Sequence, residues 1–130
     1  MKPRMCKVKH DPPEQYGDCI AACISSIADH DVPHVYNGGS AENAWLEIRK
    51  SLKTIGKSIL VFPLETDPHD FMKENNADIY YMLMGRTERG EDHAVVCLND
   101  EVKHDPAWYR SKMVKPHSCG LWLIGVIVDV

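Results

Sequence analysis

Residues 16–27 read YGDCIAACISSI, and this stretch decides the fold. Gly17 permits a sharp turn, and Asp18 is a good helix N-cap. Cys19 then falls at the first helical position. Ile20, Ile24 and Ile27 recur at i, i+4 and i+7, the spacing of one buried helical stripe. Cys23 lies beside that stripe and Cys19 at its edge. The helix is predicted to stop near Asp29, with Pro33 beyond it. A cysteine that opens a helix stands where unpaired backbone N–H groups and the macrodipole favour negative charge. A thiolate there is stabilised and nucleophilic, and the same N–H groups can hold a developing oxyanion. The bland alternative is a buried cysteine that merely packs a core helix.

On the N-terminal side, DPPEQYGD (11–18) is irregular, because two prolines block helix. The opening MKPRMCKVKH (1–10) is locally basic. It lacks the apolar run and cleavage pattern of a signal peptide. It reads as a solvated end, or as a contact for an acidic partner. On the C-terminal side, NGGS (37–40) is a loop, and Ser40 caps a helix over 41–55 with Trp45, Leu46, Ile48 and Leu52 facing the core. Gly56 is its natural stop. SILVFPL (58–64) is a strand. Asp67 and Pro68 open a short helix over 67–76. DIYYMLM (78–84) is a strand, RTERGED (86–92) a charged loop and HAVVCL (93–98) a strand. Asn99, Asp100 and Glu101 turn the chain, and VKHD (102–105) runs back. WYRSKMVKPHS (108–118) is a loop, and GLWLIGVIV (120–128) closes the sheet. Helices first, then consecutive strands with short turns, predict an α+β class with an antiparallel sheet. The 130 residues fit a single domain over 1–130.

Composition bounds the function. Apolar residues make up 44% and charged residues 26%, ordinary for a globular protein. A net charge of −4 gives no electrostatic reason for a nucleic-acid partner. No apolar run reaches membrane-span length, so membrane insertion is not expected. Five cysteines without a secretory signal point to free thiols in a reducing, cytoplasmic setting. There is no internal repeat.

A cysteine nucleophile needs a base, and the base needs an orienter that fixes its tautomer. His93 heads a strand and Asp105 lies on the returning one. Each alone reads as surface or turn; the order Cys19, His93, Asp105 is more specific than any member. Strand phase constrains the pair. A plain two-residue turn would put Asp105 opposite Ala94 and leave His93 on the other face. A three-residue turn, pairing Leu98 with Val102, or a bulge brings them into phase; the three-residue register is the one predicted. His104, adjacent to Asp105, then points away. His10, His30, His34, His69 and His117 read as surface. Cys19 and Cys23 with histidines can make a zinc site in principle, but no second cysteine pair exists and no metal is expected; Cys6 and Cys119 are isolated. Cys23 and Cys97 read as core. Trp108 and Tyr109 line a cleft or pack a loop, and Trp122 packs the core. Glu91 and Asp92 either raise the His93 pKa or are solvated.

GDCIAACISSI, DHAVVCL and KHDP together resemble the papain-like cysteine peptidase superfamily, closest to the bacteriocin-processing peptidase branch and its small stand-alone relatives in bacteria and phages. The resemblance implies a papain-like fold, with Cys19 as nucleophile, His93 as general base and acid, and Asp105 as orienter. It implies thiol-dependent hydrolysis of a peptide or isopeptide bond in a peptide or protein substrate, with no cofactor. The chain departs from the family at one point. A glutamine six residues before the nucleophile usually donates to the oxyanion, and here that position is Pro13, which has no donor. Gln15 and Tyr16 are the nearest substitutes. The departure keeps two alternatives open: an acyl or amide transferase using the same three residues, and a binding module that retains the fold without turnover.

Overall fold

The computed structural model describes residues 1–12, 14–34, 36, 40–75, 78–109 and 112–130. Of the sequence features above, Pro13, the loop residues 37–39, Asn76 at the end of the third predicted helix and residues 110–111 lie outside the described residues.

Three helices and six strands are placed among them. Helix α1 is Cys19–Ala28, with Asp18 at its N-cap position and Asp29 in the left-handed region as its C-cap. Helix α2 is Ala41–Lys53; the Ser40 side chain accepts from the Asn43 N–H, so the predicted cap forms. Gly56 follows with φ +71, where a side chain would be strained. Strand β1 is Lys57–Leu64. Helix α3 is Pro68–Asn75, opened by Asp67, whose Oδ1 accepts from the His69 N–H at 2.8 Å. Strands β2 (Tyr80–Thr87), β3 (Asp92–Leu98), β4 (Glu101–His104), β5 (Met113–Pro116) and β6 (Trp122–Asp129) follow.

The class is α+β with an antiparallel sheet, as the element order implies. Its order is β1-β6-β2-β3-β4, and β5 pairs with the end of β2 that β6 leaves uncovered. The last strand is therefore interior, between β1 and β2, rather than a closing edge. Alternation along the strands separates two cores. Met82, Met84, Ala94 and Val96 face α1 and α2. Tyr81, Leu83, Val95 and Cys97 face the other way, where Met72 and Phe71 of α3 cover them. This is the period-2 pattern of a sheet buried on both faces.

Three local expectations are corrected. The loop 108–118 contains β5, which pairs with Gly85, Arg86 and Thr87. The charged loop shrinks because β2 continues through Arg86 and Thr87, with Arg86 Nε donating to the Pro116 carbonyl at 2.8 Å. Leu46 is 49% exposed; the buried face of α2 is Ala44, Ile48 and Leu52, an i, i+4, i+8 row that leaves position 46 on the far side.

The N-terminal arm is not a solvated end. It lies along α1. Lys2 N–H donates to the Ser26 carbonyl at 3.0 Å, and Arg4 N–H donates to Ser26 Oγ at 2.8 Å. The Arg4 guanidinium reaches the Ser25 carbonyl, Asp29 and Asp31. Cys6 N–H donates to the Pro106 carbonyl at 2.8 Å. Helix α1 is thus packed on its sheet side and under the arm, and it buries Cys19, Ala21, Ala22, Cys23, Ile24, Ser25 and Ser26, more than one stripe. Ser25 and Ser26 tolerate burial because each has partners: Ser25 Oγ accepts from Val32 N–H, and Ser26 Oγ donates to the Ala22 carbonyl.

Candidate active site

Cys19 opens α1 at the rim of the sheet. Asp18 makes no side-chain cap hydrogen bond. Its carboxylate turns to the arm and accepts from Lys7 N–H and Val8 N–H, each at 3.1 Å. The expected cap position is right, but the carboxylate fastens the arm, so the first-turn N–H groups are not screened by it. Gly17 serves by close approach rather than by positive φ: a Cβ there would stand 2.7 Å from His10 Cβ and 2.9 Å from His10 N. Gly17 N–H donates to His10 Nδ1 at 3.1 Å.

His93 and Asp105 meet through a combination of turn and bulge. Leu98 pairs with Glu101 and Cys97 with Val102, a two-residue turn; the ladder then shifts, and Val96 pairs with His104. The predicted Leu98–Val102 register is therefore corrected. The extra residue, Lys103, bulges, and Asp105 follows directly after the last residue of β4. His93 Nε2 lies 2.9 Å from Asp105 Oδ1. Ala107 N–H donates to the same oxygen at 3.0 Å, which fixes the carboxylate. A carboxylate only accepts, so Nε2 carries the proton. Nδ1 is the nitrogen left for Cys19, which is near enough for the ring and the sulfur to shift each other's protonation. His104 faces the arm, with Nε2 2.7 Å from the Arg4 carbonyl.

Two further groups touch the thiol. Cys6 Sγ lies 3.2 Å from Cys19 Sγ, and Tyr109 Oη lies 3.7 Å from it. The Tyr109 oxygen accepts from His10 N–H at 2.9 Å, which leaves its own proton for the sulfur side. Cys6 is thus not isolated. Nothing in MKPRMCKVKH signals this contact; the available clue was the buried pair Ser25-Ser26, whose polar atoms need partners from somewhere.

These contacts set the protonation states. The Cys6 hydrogen bond favours the Cys19 thiolate; burial opposes it; the His93 hydrogen bond and charge and the Tyr109 hydroxyl add to the first, and the thiol falls from 9.0 to about 5. Burial disfavours the His93 imidazolium, but Asp105 and the Cys19 thiolate outweigh it and lift the imidazole to about 9. Cys6 and Cys23 are pushed up and stay thiols. Tyr109 is pushed up by burial and keeps its proton. Glu91 and Asp92 have partners of their own: Glu91 pairs with Arg89, and Asp92 accepts from the Ser118 N–H and hydroxyl and lies 3.3 Å from His117 Nε2.

A cleft of about 690 Å³ opens beside Cys19 and His93. Ile20, Pro33, Tyr36, Trp45, Met84 and Leu123 give it apolar walls, and His10, His34 and His117 stand among them, not on remote surface. His30 bonds Ser51, and His69 is exposed. The two oxyanion substitutes are placed differently. Gln15 Nε2 donates to the Lys9 carbonyl at 2.6 Å, which occupies its amide. Tyr16 lines the cleft with its ring edge-on to His10 and Tyr36. Trp108 is 56% exposed, while Trp122 packs against the α3-side core. Among the described residues, no group of three or more His, Cys, Asp or Glu is arranged to hold a metal, and no helix is long and apolar enough to cross a membrane.

No known protein family, curated protein or solved structure matches the chain.

Proposed function

We propose that the protein is a papain-like cysteine hydrolase that cleaves a peptide or isopeptide bond in a reducing, cytoplasmic setting. One observation carries this reading: the Cys19 thiol, the His93 imidazole and the Asp105 carboxylate form a chain in which the sulfur is held as thiolate and the ring as imidazolium. Structural cysteines in apolar cores are pushed the other way, as Cys23 is.

The Cys19 thiolate attacks the scissile carbonyl carbon, and the carbonyl π pair moves to oxygen. Two donors can meet that oxyanion: the Cys19 N–H at the head of α1, and the Tyr109 hydroxyl. An oxyanion on carbon bonded to Sγ lies off the sulfur, so a hydroxyl 3.7 Å from Sγ is within reach of it. Tyr109 thereby replaces the glutamine that Pro13 cannot supply. His93 Nδ1–H protonates the leaving amine as the C–N bond breaks. The neutral ring then takes a proton from water, which attacks the thioester and releases the acid and Cys19 thiolate. Asp105 holds Nε2–H throughout.

The test is a panel of fluorogenic peptide amides and isopeptides, with acyl-enzyme trapping by mass spectrometry. Turnover that vanishes in Cys19→Ala supports the hydrolase; a thioester that passes only to an added amine supports a transferase. The occupied Gln15 amide favours a second reading, a binding module. If a captured partner is held equally by the intact protein and Cys19→Ala, and no acyl-enzyme forms, the hydrolase reading fails.

A further inference from the structure

Beyond its hydrogen bond to the Cys19 sulfur, Cys6 takes no part in the hydrolase steps, yet it is only 6% exposed and its Sγ stands 3.2 Å from the nucleophile. A disulfide needs an S–S separation of about 2.05 Å, so bonding requires a closure of about 1 Å along a line the two atoms already share. The geometry around Cys6 suits that movement. It sits in irregular chain, not in a helix or strand. It is anchored on one side by Cys6 N–H to Pro106 and on the other by Lys7 and Val8 to Asp18, the residue that precedes Cys19. Cys23 is a poor competitor. It lies one turn along the same helix, where Cβ atoms are about 5–6 Å apart, beyond the roughly 3.5–4.5 Å of a disulfide.

We propose that Cys6 and Cys19 form a redox modification site: a hydroperoxide oxidises Cys19, and Cys6 resolves the product into a reversible Cys6–Cys19 disulfide that withdraws the nucleophile. The inference rests on reading Cys19 as a reactive thiolate. Its chemistry balances in two steps. The thiolate attacks the distal peroxide oxygen; the S–O bond forms, the O–O bond breaks, and the leaving alkoxide or hydroxide takes a proton from the His93 imidazolium. Cys19 is now a sulfenic acid, oxidised by two electrons. Cys6 sulfur then attacks Cys19 Sγ; the S–S bond forms, the S–O bond breaks, and hydroxide leaves with the Cys6 thiol proton as water. Each sulfur ends one electron more oxidised than a thiol. An external dithiol restores both and is itself oxidised. The cleft that Cys19 lines also admits a peroxide, and capture by Cys6 spares the sulfenic acid from irreversible oxidation.

The experiment uses the full chain, reduced, with one equivalent of hydrogen peroxide at mildly acid pH, quenched with N-ethylmaleimide and digested with trypsin. The expected product joins the peptide 5–7 to the one carrying Cys19; fragmentation puts the link on Cys19, and dithiothreitol releases it. Cys6→Ser, checked for folding by circular dichroism and given excess hydrogen peroxide alongside the parent, is expected to accumulate sulfinic acid at Cys19, with dithiothreitol recovering less than about a tenth of the iodoacetamide reactivity that the parent regains. Full maleimide labelling of Cys6 beside a sulfinic Cys19, or a Cys19–Cys23 link, overturns the proposal. A parallel iodoacetamide rate separates the two claims. Fast acid-side alkylation of Cys19 without a Cys6 link sinks the redox site alone. A slow, ordinary Cys19 sinks the active-site reading and the redox site with it.

Discussion

The thiolate–imidazolium pair makes a pH profile that an ordinary cysteine cannot imitate. Alkylation of Cys19 by iodoacetamide, followed residue by residue by mass spectrometry, is expected to show a lower inflection at about 5 and an upper one at about 9. The signs follow from the shifts. His93 is raised, so the imidazolium's stabilisation is complete below its ordinary 6.5 and fades as pH rises through about 9. Cys19 is depressed, so the thiolate's stabilisation is complete above its ordinary 9.0 and fades as pH falls through about 5. The pair is jointly ionised between the two folded values. The size of the effect depends on where it is measured. At about pH 7 an ordinary thiol is on the order of 1% thiolate, so Cys19 has roughly a hundredfold more; but a pKa lowered by about four units also loses on the order of 40- to 100-fold in intrinsic nucleophilicity at a Brønsted slope of 0.4–0.5. The two nearly cancel. At about pH 5.5 the thiolate advantage is on the order of two thousandfold, which leaves a net excess of some tens-fold. The comparison therefore belongs on the acid side, against exposed Cys119 as internal reference. His93→Ala removes the imidazolium while burial and the Cys6 and Tyr109 hydrogen bonds remain, so the lower inflection moves up part of the way toward 9 and the excess at about pH 5.5 falls at least about tenfold. A single inflection near 9 in the intact protein refutes the pair. A lower inflection that stays at about 5 in His93→Ala refutes the role of His93 and hands the effect to Cys6 and Tyr109.

Other perturbations separate the contributions. Asp105→Asn keeps a hydrogen-bond acceptor but removes the charge, so the upper inflection drops below about 9 while the lower one rises, read in the same alkylation profile. Tyr109→Phe is expected to lower kcat on any substrate found by about tenfold to a hundredfold with little change in KM, with only a small rise in the lower inflection; an unchanged kcat excludes it as an oxyanion donor. Gly85→Ala puts a Cβ 2.4 Å from Trp122 Cζ3 and 2.8 Å from the Lys115 carbonyl oxygen, and is expected to destabilise by about 1–3 kcal/mol in urea unfolding. Ser26→Ala removes the acceptor for Arg4 N–H, costing about 1 kcal/mol and speeding tryptic cleavage after Arg4 and Lys7; an unchanged cleavage rate means the arm is held elsewhere.

Features written in local sequence were legible, and those made by distant partners were not. The Gly-Asp-Cys helix start, the Ser40 and Asp67 caps, the Gly56 stop and the apolar run of β3 are each decided by a few neighbouring residues, and all are found where the sequence places them. Strand β5 is not local: Met113–Pro116 has two exposed residues and owes its extended form to the edge of β2. Leu46 shows the limit of counting apolar residues on a helix whose buried row is three small steps wide. The contact of Cys6 with Cys19 was the least accessible, because it depends on an arm with no secondary structure of its own. In hindsight Ser25 and Ser26, polar in a buried helix, mark the place where something must dock.

The bond between His93 and Asp105 turns on the number of residues between them, and this supplies a further test. From the Cys97–Val102 pair, an unbroken ladder would set Lys103 against Val96, His104 against Val95 and Asp105 against Ala94, out of phase with His93. The bulge absorbs one residue and sets His104 against Val96 instead. A three-residue turn would absorb one as well, so the phase was deducible while the device was not. Deleting Lys103 should therefore do little to the site. His104 follows Val102 directly, pairs with Val96 without a bulge, and Asp105 keeps its place. Deleting Lys103 and His104 together moves Asp105 back along the ladder to the place His104 holds against Val96, and withdraws the carboxylate from Nε2. The expected outcome is an upper inflection that stays at about 9 in the first variant and falls in the second, although the second also loses the His104 contact with Arg4. Replacing His104 by alanine in the full-length strand controls for that loss. If the single deletion abolishes the upper inflection as completely as the double one, strand phase is not what holds Asp105, and the Ala107 N–H bond to Oδ1 becomes the determinant to test next.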